Sequence, residues 1–282
     1  MNFLDAIFLG LIQGLTEFLP ISSTGHLTLA ARLLNLISEE HPEHWTAFMA
    51  VIQLGTMLAV LIYFYKDLFG IIKNFISENI LTRKSFAEQS LNSKLGWLII
   101  FGTIPIVIIG LLFKNQIEGA FTKNLYVIAS SLIILAVILF IAEKTSRFKK
   151  DINEVTIFDS IMIGIAQAIS LIPGSSRSGT TITAGLFLGL KRDVAARFSF
   201  LLSVPAVLAS GLLQLYESMK FINTDMILNI TIATLVSGVS GYLAIDFLLK
   251  FLKKNSTMVF IIYRIILGGV ILLLLSQNFI KS

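Results

Sequence analysis

The chain has 282 residues, 55% of them hydrophobic and 14% charged, with 22 Lys and Arg against 17 Asp and Glu. Soluble domains carry about 25% charged residues, so the composition excludes a soluble enzyme, a disordered tail and any nucleic-acid reading of the +5 net charge. The lack of Cys removes disulfides, thiolate metal sites and a Cys nucleophile, and three His confined to the first 44 residues cannot build a His-rich metal centre.

The chain opens on Met1-Asn2-Phe3-Leu4-Asp5 without the basic region of a secretory signal, so the first apolar stretch is expected to stay in the mature protein. Asp5, Glu17 and Arg32 divide that stretch into charge-free pieces of 11 and 14 residues, with the polar turn Pro20 to Gly25 between them. A crossing helix needs about 20 apolar residues, so this region reads as a helix hairpin that enters the membrane and turns back. The acidic run Glu39 to Glu43, with His41 and His44, reads as a solvated outer loop. Charge-free windows then follow at 45–65, 95–113 and 124–142, separated by a basic loop at 66–94 and followed by another at 143–156. Asp159, Arg177 and Lys191 frame pieces of 17 and 13 residues around Pro173-Gly174-Ser175-Ser176-Arg177-Ser178-Gly179, a second re-entrant hairpin. Windows 198–216 and 226–245 are free of charge, and 259–280 holds Arg264 alone. The expected fold is all-α: a polytopic membrane protein with six transmembrane helices and two re-entrant hairpins.

The two hairpins are alike. Gly10 to Gln13 matches Gly164 to Gln167, and Pro20-Ile21-Ser22-Ser23 matches Pro173-Gly174-Ser175-Ser176, at offsets of 154 and 153 residues. The chain therefore reads as one membrane domain of two repeats, about 1–142 and 157–282, each a hairpin followed by three crossings. Three crossings per repeat invert the second repeat. In that arrangement fifteen Lys and Arg fall on one face and five on the other, Arg32, Lys114, Lys123, Lys220 and Lys281, with Arg177 and Arg264 inside the membrane. The basic face is cytoplasmic by the positive-inside rule, which puts both termini outside.

Opposed hairpins bring their tips together near the midplane. Each tip begins a helix whose free N–H groups and positive dipole end suit an anion, and Ser22, Ser23, Ser175 and Ser176 are N-cap residue types beside them. Arg177 adds a forked charge suited to phosphate, and burying an arginine in lipid is costly without a function or a partner. Glu17 lies four residues after Gln13, on the same helix face. It is placed to pair with Arg177, to bind a divalent cation or to act as a base. Gln13, Glu17, Ser23 and His26 crowd hard donors around one turn, which favours Mg²⁺ or Ca²⁺ over zinc. His26 follows Ser23 by one helical turn, within reach of proton exchange. The nucleophile is Ser23, His26 or an activated water. Arg264 and Asp246, on separate helices, are expected to form a buried structural pair.

Gln13-Gly14-Leu15-Thr16-Glu17-Phe18-Leu19-Pro20-Ile21-Ser22-Ser23-Thr24-Gly25-His26 and Pro173 to Thr181 resemble the paired signature motifs of the bacterial undecaprenyl-diphosphate phosphatases of the bacitracin-resistance type. The likeness runs over nearly the whole chain and includes Phe198 to Pro205. It implies an inner-membrane hydrolase that converts the polyprenyl diphosphate to the monophosphate carrier of cell-wall synthesis, with bacitracin resistance as a consequence. It carries phosphate-binding roles onto Ser176, Arg177, Ser178 and Thr181 and makes Glu17 the main metal or base candidate. Together with the reading of the residues, the expected catalytic set is Glu17, Ser23, His26 and Arg177, the expected substrate contacts are Gln13, Ser22, Thr24, Ser176, Ser178 and Thr181, and the expected cation ligand is Glu17. The family's first motif begins with Glu or Gln, and this chain has the Gln form at position 13. The implied partners are the lipid substrate, membrane lipids and a second copy of the chain, with no nucleic acid. A competing reading is an inverted-repeat transporter or flippase of a lipid phosphate or anion. Another is the phosphatidic-acid type of phosphatase, but that class needs a His after its Ser-Arg motif, and none follows His44.

Overall fold

The structure, a computed structural model, describes residues 2–36, 42–113, 124–219 and 224–280. His41, Lys114, Lys123, Lys220 and Lys281 lie outside the described residues, as does the side chain of His44. Among the described residues there are eleven α-helices: α1 (Phe3–Phe18), α2 (Ser23–Leu33), α3 (Pro42–Tyr63), α4 (Tyr65–Ile76), α5 (Leu91–Leu112), α6 (Leu125–Thr145), α7 (Ile157–Ile169), α8 (Arg177–Phe187), α9 (Arg192–Ser218), α10 (Thr224–Leu252) and α11 (Met258–Ser276).

Five of them, α5, α6, α9, α10 and α11, are long and apolar enough to cross a membrane, and the count rises to six when α3 and α4, bent by 72° at their junction, are taken as one broken span. These are the windows that the absence of charge marked out. The segment 66–94, expected as a loop, instead carries α4 and a π-helical turn at Ser77–Leu81. Lys66, Asp67 and Lys73 break the charge-free run there. The apolar residues Phe69, Ile72, Ile76 and Ile80 nevertheless recur at helical spacing and are exposed together, which is the pattern of an amphipathic helix.

The other four helices are too short to cross. At 1.5 Å per residue, α1 of 16 residues reaches about 24 Å and α2, α7 and α8 about 16 to 20 Å, against a core of about 30 Å. Each pair forms helix, turn, helix. Capping boxes start α1 at Asn2 with Asp5 and α7 at Thr156 with Asp159.

Small residues let these short helices pack closely on their neighbours. α1 lies on α10, where a Cβ at Gly14 would stand 1.9 Å from Ser240 Oγ and 2.6 Å from the Ser237 carbonyl. α7 lies on α5, where a Cβ at Gly164 would stand 2.1 Å from the Gly102 carbonyl, and Ser160 Oγ donates to the Leu98 carbonyl at 2.5 Å. Where lipid is the solvent, helices associate through such close contacts rather than through apolar burial. Phe18 of α1 meets Phe200 of α9 edge to face at 5.4 Å, and Phe64 at the α3–α4 bend packs on the same ring. This aromatic cluster anchors the first tip against the second half of the chain.

Candidate active site

The helices after the two tips start in the same way. Ser22 caps α2 and accepts from the Gly25 N–H at 3.3 Å, and Ser176 caps α8 and accepts from the Gly179 N–H at 3.2 Å. Their backbones nearly coincide, with φ 74° and ψ 100° at Ser22 and φ 66° and ψ 108° at Ser176. Positive φ at a non-glycine residue is strained, and such strain gathers at functional sites. The matched caps also put the hairpin offset at 154 residues through the tips. Ser22 therefore answers Ser176 and Ser23 answers Arg177, whereas the proline alignment had paired Ser22 with Ser175.

Three side chains meet between the tips. Glu17, in the last turn of α1, accepts from Arg177 Nη2 at 2.9 Å through one oxygen and from Ser23 Oγ at 2.7 Å through the other. Gln13 Nε2, one turn back, donates to the same Glu17 at 3.2 Å and lies 3.4 Å from Thr56 Oγ1 of α3. The Glu17 and Arg177 side chains are only 6% and 11% exposed, so this is a buried pair. Arg177 Nη1 is buried and has no hydrogen-bond partner in the protein. A guanidinium prong left bare in a buried site is a binding feature for an anion oxygen.

The remaining candidates divide. Ser178 Oγ donates to the Leu19 carbonyl at 3.0 Å, tying the second tip to the first. Thr181 Oγ1 donates to the Arg177 carbonyl at 2.8 Å and bonds Ser199 Oγ of α9 at 2.6 Å. Both hydroxyls are thus engaged in bracing the loop that presents Arg177. Thr24 is exposed on the first turn of α2. His26 does not bond Ser23, although one helical turn separates them. The Ser23 proton points across to Glu17, while His26 Nδ1 lies 2.7 Å from the Ser22 carbonyl and Nε2 lies 2.6 Å from Tyr263 Oη. A carbonyl only accepts, so Nδ1 carries the proton and Nε2 accepts from the tyrosine.

The expected pair of Arg264 with Asp246 does not form. Asp246 accepts from Tyr63 Oη at 3.2 Å and from Lys250 Nζ at 2.7 Å. The i, i+4 lysine on the same helix takes the carboxylate instead. Arg264 is fully buried and donates to the Ser175 carbonyl at 3.1 Å, with the Ser131 and Pro20 carbonyls at 3.4 and 3.5 Å. Tyr263, Thr56 and Ser199 carry no sequence signal that would have selected them. Arg264 did carry one, as the single charge in an apolar window.

A divalent cation fits this donor set in one way. Among the described residues no three His, Cys, Asp or Glu side chains gather, so an all-protein cage is not what the residues offer. Mg²⁺ is commonly held by one or two carboxylates together with substrate phosphates. Glu17 is the carboxylate for that mode.

The architecture and site define a class: a polytopic helical membrane protein in which two hairpin tips meet around a buried glutamate–arginine pair. The chain belongs to the bacitracin resistance protein BacA family, whose model matches residues 6–270. It is 56% identical to an undecaprenyl-diphosphatase of Syntrophobacter fumaroxidans over 96% of this chain and 97% of that protein. It is 50% identical to one of Chloroherpeton thalassium over the full length of both, and 48% identical to one of Chlorobium limicola, also over the full length of both.

Proposed function

We propose that this protein is an undecaprenyl-diphosphate phosphatase, which releases the terminal phosphate of a C55 isoprenoid diphosphate in the membrane. The observation that carries the reading is the chain Ser23–Glu17–Arg177, joined by bonds of 2.7 and 2.9 Å across two helix N-termini. Arg177 and Arg264 against Glu17 leave one positive charge, and each helix N-terminus adds about half a charge. The sum of about two positive charges suits a lipid diphosphate, whose oxygens carry about two to three negative ones. The apolar tail leaves sideways between helices into lipid.

In the reaction, the bare Arg177 Nη1 holds the terminal phosphate and the first-turn N–H groups of α2 and α8 stabilise its equatorial oxygens. Ser23 Oγ attacks phosphorus in line, Glu17 takes its proton, and the bridging P–O bond breaks to free the lipid monophosphate. A water then attacks the phosphoserine: the P–O bond to Ser23 breaks, Glu17 returns its proton to Ser23 Oγ, and the water's proton leaves on the released phosphate. Glu17 is the residue that would hold Mg²⁺ or Ca²⁺, and a bound cation would supply further neutralisation of phosphate charge.

Fifteen basic residues on one face support an inner-membrane protein with that face in the cytoplasm and both termini outside, built as inverted repeats with re-entrant hairpins. A reporter fused after Ser282 is expected outside; a cytoplasmic signal sinks the topology. The activity test is phosphate release by detergent-purified protein, with and without chelator, for wild type, Arg177→Ala and Glu17→Ala. Ser23→Ala serves in a parallel trapping experiment with substrate labelled on its terminal phosphate. Labelled protein from wild type and none from Ser23→Ala is expected; full activity in any of the three variants refutes the site.

A further inference from the structure

Arg264 is an ionised side chain inside the membrane, fully buried, with no carboxylate partner among the described residues. A charge in that position is costly unless something offsets it. Its donors reach three carbonyls on three separate elements: Pro20 in the first tip, Ser175 in the second and Ser131 on α6. The α8 backbone makes room for it, since a Cβ at Gly179 would stand 2.7 Å from Arg264 Nη1. Pro20 and Ser175 precede the caps Ser22 and Ser176, both held at positive φ. Arg264 therefore grips the backbone just ahead of both strained caps, and the geometry of both anion-binding helix starts runs through it.

We infer that Arg264 is a positioning residue for the phosphate subsite, holding the two tips in register, and that its charge is balanced by the anionic headgroup of the substrate. The inference rests on the phosphatase reading above. It makes two separable demands of one side chain. The fork geometry sets where the Ser23 and Arg177 helices begin relative to one another, and misplacing reacting groups by about 1 Å costs about 100-fold in rate. The charge, which touches carbonyls and not substrate, adds to the field that favours an anion between the tips and so acts on binding. Lysine keeps the charge but presents a single ammonium that cannot reach three carbonyls in a fixed plane, whereas methionine removes both.

The experiment compares wild type, Arg264→Lys and Arg264→Met in detergent, measuring kcat and KM for the lipid diphosphate, inhibition by inorganic pyrophosphate, and the melting temperature. Both variants should lose about 100-fold in kcat per folded molecule. Arg264→Met alone should weaken KM and pyrophosphate inhibition, by about tenfold, the order of one unit charge lost from the field between the tips at an effective dielectric of about 20, and Arg264→Lys should restore both to near wild type. Wild-type kcat in Arg264→Met overturns the positioning role, as does a loss fully accounted for by the unfolded fraction. Equal KM and equal pyrophosphate inhibition in the two variants overturn the charge role. Arg177→Ala measured in parallel keeps the questions apart: if it retains full activity the phosphatase site itself fails, whatever Arg264 does.

Discussion

Replacing Glu17 by Gln preserves shape and removes one charge from the centre of the site. In the native protein its two oxygens take three donors: Arg177 Nη2 at 2.9 Å, Ser23 Oγ at 2.7 Å and Gln13 Nε2 at 3.2 Å. A glutamine offers one carbonyl oxygen and one NH₂, so at least one of those donors must face another. Arg177 is left as an uncompensated cation, and breaking a buried pair by removing one partner costs about 3 to 5 kcal/mol of stability. Loss of the base that takes the Ser23 proton is expected to lower kcat by about 10² to 10⁴, or about 3 to 5 kcal/mol in the barrier. The two effects are similar in size, so kcat must be expressed per folded molecule, with the melting temperature followed in the same detergent. Adding Arg177→Met to Glu17→Gln separates them. Removing the orphaned cation should recover much of the melting temperature and none of the activity. Glu17→Gln retaining more than about a tenth of native kcat would refute the assignment of Glu17 as the base. A double variant more active than the single would do the same.

Two further predictions concern the frame that holds the site. Gly14→Ala puts a Cβ 1.9 Å from Ser240 Oγ and 2.6 Å from the Ser237 carbonyl, so α1 must move off α10. It should cost about 1 to 3 kcal/mol by melting, and Ser240→Ala should restore only part of that, because the backbone contact remains. On the basic face, Asp151 pairs with Lys191. The lysine's hydrogen bond lowers the Asp151 titration below its ordinary 3.8, and the aspartate in turn raises the lysine's above 10.5. The Asp151 contribution is present above its unfolded value and lost as pH falls through the lowered one. The Lys191 contribution is present below its unfolded value and lost as pH rises through the raised one. The melting-temperature difference between wild type and Asp151→Asn should therefore be flat across neutral pH and vanish at both extremes, and a difference that varies between pH 5 and 9 would refute it.

Much of this molecule was legible in the sequence because lipid is an unforgiving solvent. A charge inside a bilayer needs a reason, so the charge-free windows gave the crossings, and Glu17, Arg177 and Arg264 stood out as exceptions. The spacing of Gln13 and Glu17 fixed their shared face, and the serine-rich turns fixed the helix starts, because both follow from local geometry. Three-dimensional packing decided what spacing could not. Ser23 and His26 are neighbours on α2, yet one turns to Glu17 and the other to Tyr263, more than 200 residues away in the chain. Asp246 had a nearer cation than Arg264, and Arg264 was drawn instead to backbone carbonyls, which leave no mark on the sequence. Helix α4 was hidden because its lysines are spaced for an amphipathic face and not for a loop. Composition and local periodicity determined which segments enter the membrane and which polar residues go with them. Only the tertiary structure, by bringing the two tips within one hydrogen bond of each other, decided which of those residues act together.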